Sequence, residues 1–225
     1  MIPITAPQGS RGWKRARAGV ITASIFRDVS SRSMTDSMHD KAFGLAIERT
    51  STEPLNEGQT GWAADRGHQL EPDARIEHQA ELSLYVKPVG FCVVDDQWWH
   101  GCSADGFIEE DGGSEYKCFI DPKLLRRIVM NNDFIDIEHQ AQGCMWVTGR
   151  KWWDMGLYCP ALRDLGLHWT RRRVERNDDF IESMVDAMEP FRRQVQEYED
   201  ELRDRAARRG IVIPSITELR AHLIN

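Results

Sequence analysis

The 225-residue chain has no apolar run approaching the roughly 20 residues needed to cross a bilayer, and its N-terminus has no signal-peptide pattern. A cytosolic protein that makes no use of a membrane is expected. Cysteine is sparse and scattered: Cys92, Cys102, Cys118, Cys144 and Cys159 are odd in number and form no C-x-x-C pair. This argues against a disulfide framework, a zinc site and a four-cysteine iron–sulfur cluster, and for reduced, mostly buried thiols. Internal repeats and low-complexity segments are absent. His68, His78, His100 and His139 show no H-x-H or HExxH spacing, so structural or surface places are expected for them. Positive charge is also short. The net charge of −7 is awkward for a protein that would grip phosphates.

What is present describes an ordinary globular domain. Hydrophobic residues make up 41% of the chain and charged residues 29%, enough for one domain over 1–225 with a substantial core. Residues 1–12, with Pro3, Pro7, Gly9 and Gly12, read as a loose arm. The stretch 19–24 reads as the opening of a helix with Thr22 or Ser24 as its N-cap. Helices are expected over 38–50, over 62–82 with Pro72 near a start or at a kink, and over 132–148. Strands are expected at 84–86, 90–94, 98–107, 114–119, 152–158 and 167–174. A long helix over 178–209 begins a helical C-terminal extension, 178–225. Its stripe of Phe180, Met184, Met188, Phe191, Val195, Tyr198 and Leu202 reads as core packing. Helix, strands, helix, strands is the order of an α/β domain with a central mixed sheet.

The chemistry concentrates in the middle of that order. Asp105 follows Ser103-Ala104 and precedes Gly106-Phe107, and Glu115-Tyr116-Lys117 comes ten residues later. The turn Glu110-Asp111-Gly112-Gly113 would reverse the chain between them. Alternation along a strand puts Glu115 and Lys117 on one face and Tyr116 on the other. Carboxylates hold hard cations, and an ammonium beside them suits a phosphate or an attacking water. The flanking Trp98, Trp99, Cys102, Ala104, Phe107 and Phe119 imply burial, and buried carboxylates need a metal or a charged partner. An upstream helix offers one more acid, Glu71. The cations also cluster, at Arg11–Arg17, at Arg126 and Arg127, and at Arg171–Arg173 with Arg176. Local basic patches on an acidic chain suit an enzyme that confines DNA to one channel.

Four blocks in register over roughly 13–175 resemble the phage lambda exonuclease family of alkaline exonucleases, a YqaJ-like viral recombinase branch of the PD-(D/E)xK nuclease superfamily. They are Gly19-Val20-Ile21-Thr22-Ala23-Ser24 after Arg17; Gly67 to Glu71 with Asp73-Ala74-Arg75; Ser103-Ala104-Asp105-Gly106 with Glu115-x-Lys117; and Gln140-x-Gln142 with Met145-Trp146-Val147-Thr148. The chain departs from the family pattern after Lys117, reading Cys118-Phe119-Ile120 in place of Cys-Pro.

The resemblance implies a restriction-endonuclease-like α/β core. It implies metal ligation by Asp105, Glu115, the Tyr116 carbonyl and Glu71. Lys117 would orient or activate the water, with Gln142 beside it and Gln140 as a less certain neighbour. Arg17, Ser24 and Thr22 would form the pocket for a DNA 5′-phosphate, aided by free N–H groups at a helix start. Two Mg²⁺ ions are implied, with Mn²⁺ as a substitute, and a like-charged metal would lower the Lys117 pKa. The implied activity is 5′→3′ digestion of one strand of duplex DNA to mononucleotides, from DNA ends, leaving a 3′ overhang. The implied assembly is a homotrimer that works with a phage-type single-strand annealing protein in a bacterial cytoplasm. Segment 61–64 is the candidate place for a strand-separating wedge. Another nuclease of the superfamily and a catalytically idle DNA-end-binding scaffold are the rival readings.

Overall fold

The computed structural model describes residues 1–55, 62–118 and 121–223, apart from the side chains of 63 and 64. The first half holds β1 (Ile2–Ile4), α1 (Arg11–Arg17), β2 (Ile21–Thr22), α2 (Phe26–Val29), α3 (Asp36–Ser51) and α4 (Trp62–Leu82). The strand-rich middle holds β3 (Val86–Lys87), β4 (Phe91–Val93), β5 (His100–Cys102), β6 (Gly106–Ile108) and β7 (Gly112–Lys117). Then come α5 (Pro122–Asn131), α6 (Ile135–Thr148), β8 (Trp152–Tyr158), β9 (Trp169–Glu175), α7 (Asp178–Ala207) and α8 (Ile216–Arg220).

The fold is α/β, with mixed sheets flanked by helices. The strands divide into two sheets, ordered β1-β4-β5-β2 and β3-β6-β7-β8-β9. In the first only β2 and β5 run parallel, and in the second only β7 and β8. The expected single strand over 98–107 is therefore two strands in different sheets, broken at residues 103–105. Two further expectations change. Residues 2–4 are not a loose arm: β1 pairs with β4, with Pro3 tolerated because β1 is an edge strand. Gly112 and Gly113 are not in the turn but open β7. A Cβ there would meet the Trp152 and Trp153 rings of β8 at 2.1 and 2.2 Å, so only glycine lets the two strands approach.

The helices end where local chemistry ends them. Asp121 caps α5, which the apolar pattern does not announce, and Asn132 closes it with φ of 52°. Gly149 closes α6 with φ of 73°. Pro72 sits in the interior of α4 rather than near its start. The α7 stripe packs into the main core with α3, α6 and β8, as its spacing predicts. Buried Arg49 of α3 locks that pair by donating to Glu199 of α7 at 2.6 Å. Among the described residues no helix is long and apolar enough to cross a membrane.

Candidate active site

The carboxylates stand at the seam between the two sheets. As the chain leaves β5 it passes Ser103 and Asp105 before entering β6. The Asp105 N–H keeps a ladder bond to the Ser114 carbonyl at 3.1 Å. Beyond it the ladder ends, and the Asp105 carboxylate itself accepts the Tyr116 N–H at 2.6 Å. Asp105 and Glu115 are both buried. Burial, with the charges of Glu115 and Glu71 nearby, pushes the Asp105 carboxyl well above the usual range.

Alternation along β7 works as expected: Glu115 and Lys117 share one face, and Tyr116 turns to the other. Lys117 Nζ donates to Glu115 Oε1 at 2.7 Å and to Gln140 Oε1 at 3.0 Å. Gln140 Nε2 in turn donates to the same Glu115 oxygen at 2.6 Å. The two α6 glutamines thus exchange places relative to expectation. Gln142 is buried elsewhere, donating to the Glu175 carbonyl at 2.8 Å and accepting from Asn177 N–H at 3.0 Å. Residues two apart on a helix point roughly 200° apart, so both glutamines could not have faced the same group. The expected lowering of the Lys117 pKa depends on a bound metal; without one, the neighbouring acids set its value. Burial alone would lower it, but the Glu115 charge and hydrogen bond, helped by Asp105, hold it above the ordinary lysine value.

Glu71, on α4, lies close enough for its charge and those of Asp105 and Glu115 to act on one another. Burial raises its pKa, the hydrogen bond with His68 Nδ1 at 3.0 Å opposes that, and the Glu115 charge adds to it. Arg17, at the end of α1, donates to Ser103 Oγ at 2.8 Å and stacks 4.5 Å over Trp13. Burial lowers its pKa while the charges of Glu115 and Glu48 counteract, which places it within electrostatic reach of the acids. The turn after α1 is held firmly: Gly19 N–H donates to Glu48 at 2.7 Å, and Arg220 donates to the carbonyls of Ala18 and Arg15. Thr22 is buried and shares a hydrogen bond of 3.1 Å with exposed Ser24. Neither hydroxyl caps a helix as expected. A three-residue 3₁₀ turn and the four residues of α2 follow, too short to supply an extended helix dipole.

Several cations of the basic runs are paired with acids of the chain. Arg127 pairs with Asp133 and Asp136, and Arg176 with Asp178. Arg171 and Arg173 reach Asp154, which is completely buried. Of the tryptophans, Trp98 and Trp153 are core residues, whereas Trp62 is 70% exposed. The remaining backbone of the wedge candidate at Gly61, the side chains of 63 and 64, and the family departure at Phe119 and Ile120 lie outside the described residues.

Behind Tyr116 lies a buried network with no local spacing to announce it. Tyr116 Oη lies 2.9 Å from His78 Nδ1, and His78 Nε2 lies 3.1 Å from Asp154 Oδ2. Arg171 and Arg173 close it on Asp154 at 2.8–2.9 Å. Arg171 also bridges to Glu81 of α4 at 3.1 Å. The one sequence signal is that His78 lies seven residues after Glu71, on the same face of α4.

Could these residues hold a divalent metal? Among the described residues, no three carboxylate, imidazole or thiolate groups enclose an ion as they stand. The donor set nevertheless fits a hard cation. Glu115 Oε2 is buried without a hydrogen-bond partner, and Asp105 is a buried acid whose charge is disfavoured. A cation would satisfy both. A carboxyl whose pKa is raised by folding costs stability above that pKa, and the cost disappears as pH falls through it. Asp105→Asn is therefore expected to raise the melting temperature of EDTA-treated protein at pH 8 by about 2–4 °C. It is also expected to abolish the further rise that Mg²⁺ gives the wild type. An equal Mg²⁺-induced rise in both proteins, read by differential scanning fluorimetry, would contradict the assignment.

The YqaJ-like viral recombinase domain matches residues 12–151. Among solved structures, the chain is similar to the alkaline exonuclease LHK-Exo of Laribacter hongkongensis. It has 27% identity over 88% of this chain and 99% of that one, with a TM-score of 0.77. The same exonuclease in complex with dAMP gives 0.78. A phage related exonuclease of Haemophilus somnus 129PT is 15% identical over 81% of this chain and 94% of its own. Its TM-score of 0.61 is a likeness of fold. No curated protein is similar enough to count as a match.

Proposed function

Because this chain belongs to the YqaJ-like viral recombinase family, we propose that it is a divalent-metal-dependent 5′→3′ exonuclease acting on one strand of duplex DNA. The observation that supports this most is the cluster of Asp105, Glu115, Lys117 and Gln140 at the seam of the sheets, with Glu71 facing it from α4. Mg²⁺, or Mn²⁺ in its place, would be held by Asp105, Glu115, the Tyr116 carbonyl and Glu71. When bound, such a cation supplies Lewis-acid stabilisation of charge on the phosphate oxygens and acidifies a coordinated water.

The chain's own residues do the rest. Lys117, hydrogen-bonded to Glu115 and Gln140, is placed to orient or activate the attacking water or to steady negative charge. Gln140 fixes that pair by bonding to both partners. Arg17, tied to Ser103 two residues before Asp105, offers a cation for the 5′-phosphate, with Ser24 and Thr22 as neighbouring hydroxyls. The dAMP complex of the similar exonuclease supports a mononucleotide product. In this reading the chain forms a homotrimer in the bacterial cytoplasm and passes the exposed strand to a phage-type annealing protein.

Covalently closed circular duplex separates this reading from an endonuclease. Linear duplex should be consumed in Mg²⁺ while the closed circle survives. Nicking or linearisation of the circle at a comparable rate would overturn the exonuclease reading. Digestion of neither would favour the idle end-binding scaffold.

A further inference from the structure

Glu71 is the acid with the least direct support. Its only hydrogen bond among those described is to His68, one turn earlier on its own helix, and nothing from the strands grips its carboxylate. Its position against Asp105 and Glu115 therefore depends on how α4 is held against β7. Glu71, Arg75 and His78 are spaced by four and three residues, so they share one face of α4. Arg75 Nη2 donates to the Asp105 carbonyl at 3.0 Å. His78 lies 2.9 Å from the Tyr116 hydroxyl. These two strand residues are already joined by the bond from Tyr116 N–H to the Asp105 carboxylate.

The network fixes the orientation of the His78 ring, whose two nitrogens bridge Tyr116 and Asp154. Asp154 is held ionised: burial opposes the charge, but the hydrogen bonds of Arg173 and His78 and the Arg171 charge outweigh it. An ionised Asp154 requires the His78 Nε2–H to donate. Nδ1 is then left to accept the Tyr116 O–H. Both ring nitrogens of His78 are thus engaged, and the helix cannot slide along β7 without breaking the chain Tyr116–His78–Asp154.

We propose that Arg75 and His78 are positioning residues: they set the height of α4 along β7 and so place the Glu71 carboxylate opposite Asp105 and Glu115. The inference rests on the reading of this cluster as a divalent-cation site. Neither side chain touches the ion or the DNA.

The test is Mn²⁺ binding to the full chain after EDTA treatment, measured by titration calorimetry without DNA. His78→Ala is expected to weaken Mn²⁺ by about 10–100-fold, the range for partners that orient metal ligands. Because His78 acts through Glu71, the double variant His78→Ala/Glu71→Gln should bind no more weakly than Glu71→Gln alone. His78→Asn, which keeps a donor for Asp154, should recover part of the loss. Arg75→Gln leaves the buried network intact, so it stays informative if His78→Ala does not fold. A loss of about tenfold is expected for it.

Wild-type affinity in a folded His78→Ala or Arg75→Gln protein would overturn the proposal. Independent, multiplying effects of His78→Ala and Glu71→Gln would overturn it too. A wild-type protein that takes up no Mn²⁺ would instead overturn the cation reading beneath it, and that result is distinct from the others.

Discussion

Lys117→Ala is expected to lower the rate of duplex digestion by about 10³-fold or more while binding of DNA ends persists. The ammonium is half-buried and fixed by Glu115 at 2.7 Å and Gln140 at 3.0 Å, so it cannot be replaced by a mobile neighbour or by solvent. Its contribution is greatest where charge develops, and so it falls on turnover more than on ground-state binding. Arg17 and the carboxylates remain in place in the variant, which is why binding should survive. Single-turnover digestion of linear duplex, set beside a filter-binding or anisotropy titration, separates the two. Near-wild-type digestion would remove Lys117 from the chemistry and with it the proposed mechanism. Equal loss of binding and turnover would make Lys117 a DNA contact instead.

The second large effect is on stability. Asp154→Ala should cost about 3–5 kcal/mol, because it leaves Arg171 and Arg173 facing a buried position with no counter-charge and the His78 Nε2–H without an acceptor. At about 2–4 °C per kcal/mol for a chain of this size, the melting temperature should fall by roughly 6–20 °C. The effect has a pH signature. Arg173, His78 and Arg171 depress the Asp154 pKa against the pull of burial, so its stabilisation is full above the unfolded value near 4. It fades as pH drops below that value toward the folded pKa. The gap in stability between wild type and Asp154→Ala should therefore be constant from about pH 5 to 8 and narrow below about pH 4. A gap that widens on acidification would show that the carboxylate is not what holds this network.

How much of this was legible in the sequence depends on whether the signal is local. The Glu115-x-Lys117 face of β7 followed from alternation alone, and the α7 stripe followed from its threes and fours. The seam did not. Trp98, Trp99, Cys102, Ala104 and Phe107 spread apolar residues across 98–107, so periodicity does not show that the chain changes sheets at Ser103–Asp105. The Gly112-Gly113 pair looked like turn chemistry because its cause, the two tryptophan rings of β8, lies forty residues away in the chain. Pro3 suggested a loose arm, but a proline is compatible with the edge strand β1.

The candidate site shows the same division. Asp105, Glu115, Lys117 and Glu71 could be named from spacing and resemblance; the fold bonds Lys117 to Glu115 and sets Glu71 within reach of the Asp105 and Glu115 charges. The choice between Gln140 and Gln142 needed helix geometry that the motif conceals, since the two residues belong to opposite sides of α6. The His78–Asp154 pair spans 76 positions and two unrelated elements, so no motif could announce it. Its residues looked like ordinary polar side chains, and only burial reveals that they are coupled.

Polarity is the central claim, and it rests on Arg17, which is tied to Ser103 two residues before Asp105. Linear duplex labelled on one strand, at either the 5′ or the 3′ end and with or without Mg²⁺, tests it most directly. The account predicts that a 5′ label is released at once as a mononucleotide, and only when Mg²⁺ is present. A 3′ label should stay on long fragments until digestion is nearly complete. Early release of the 3′ label, or release of either label in EDTA, would contradict it.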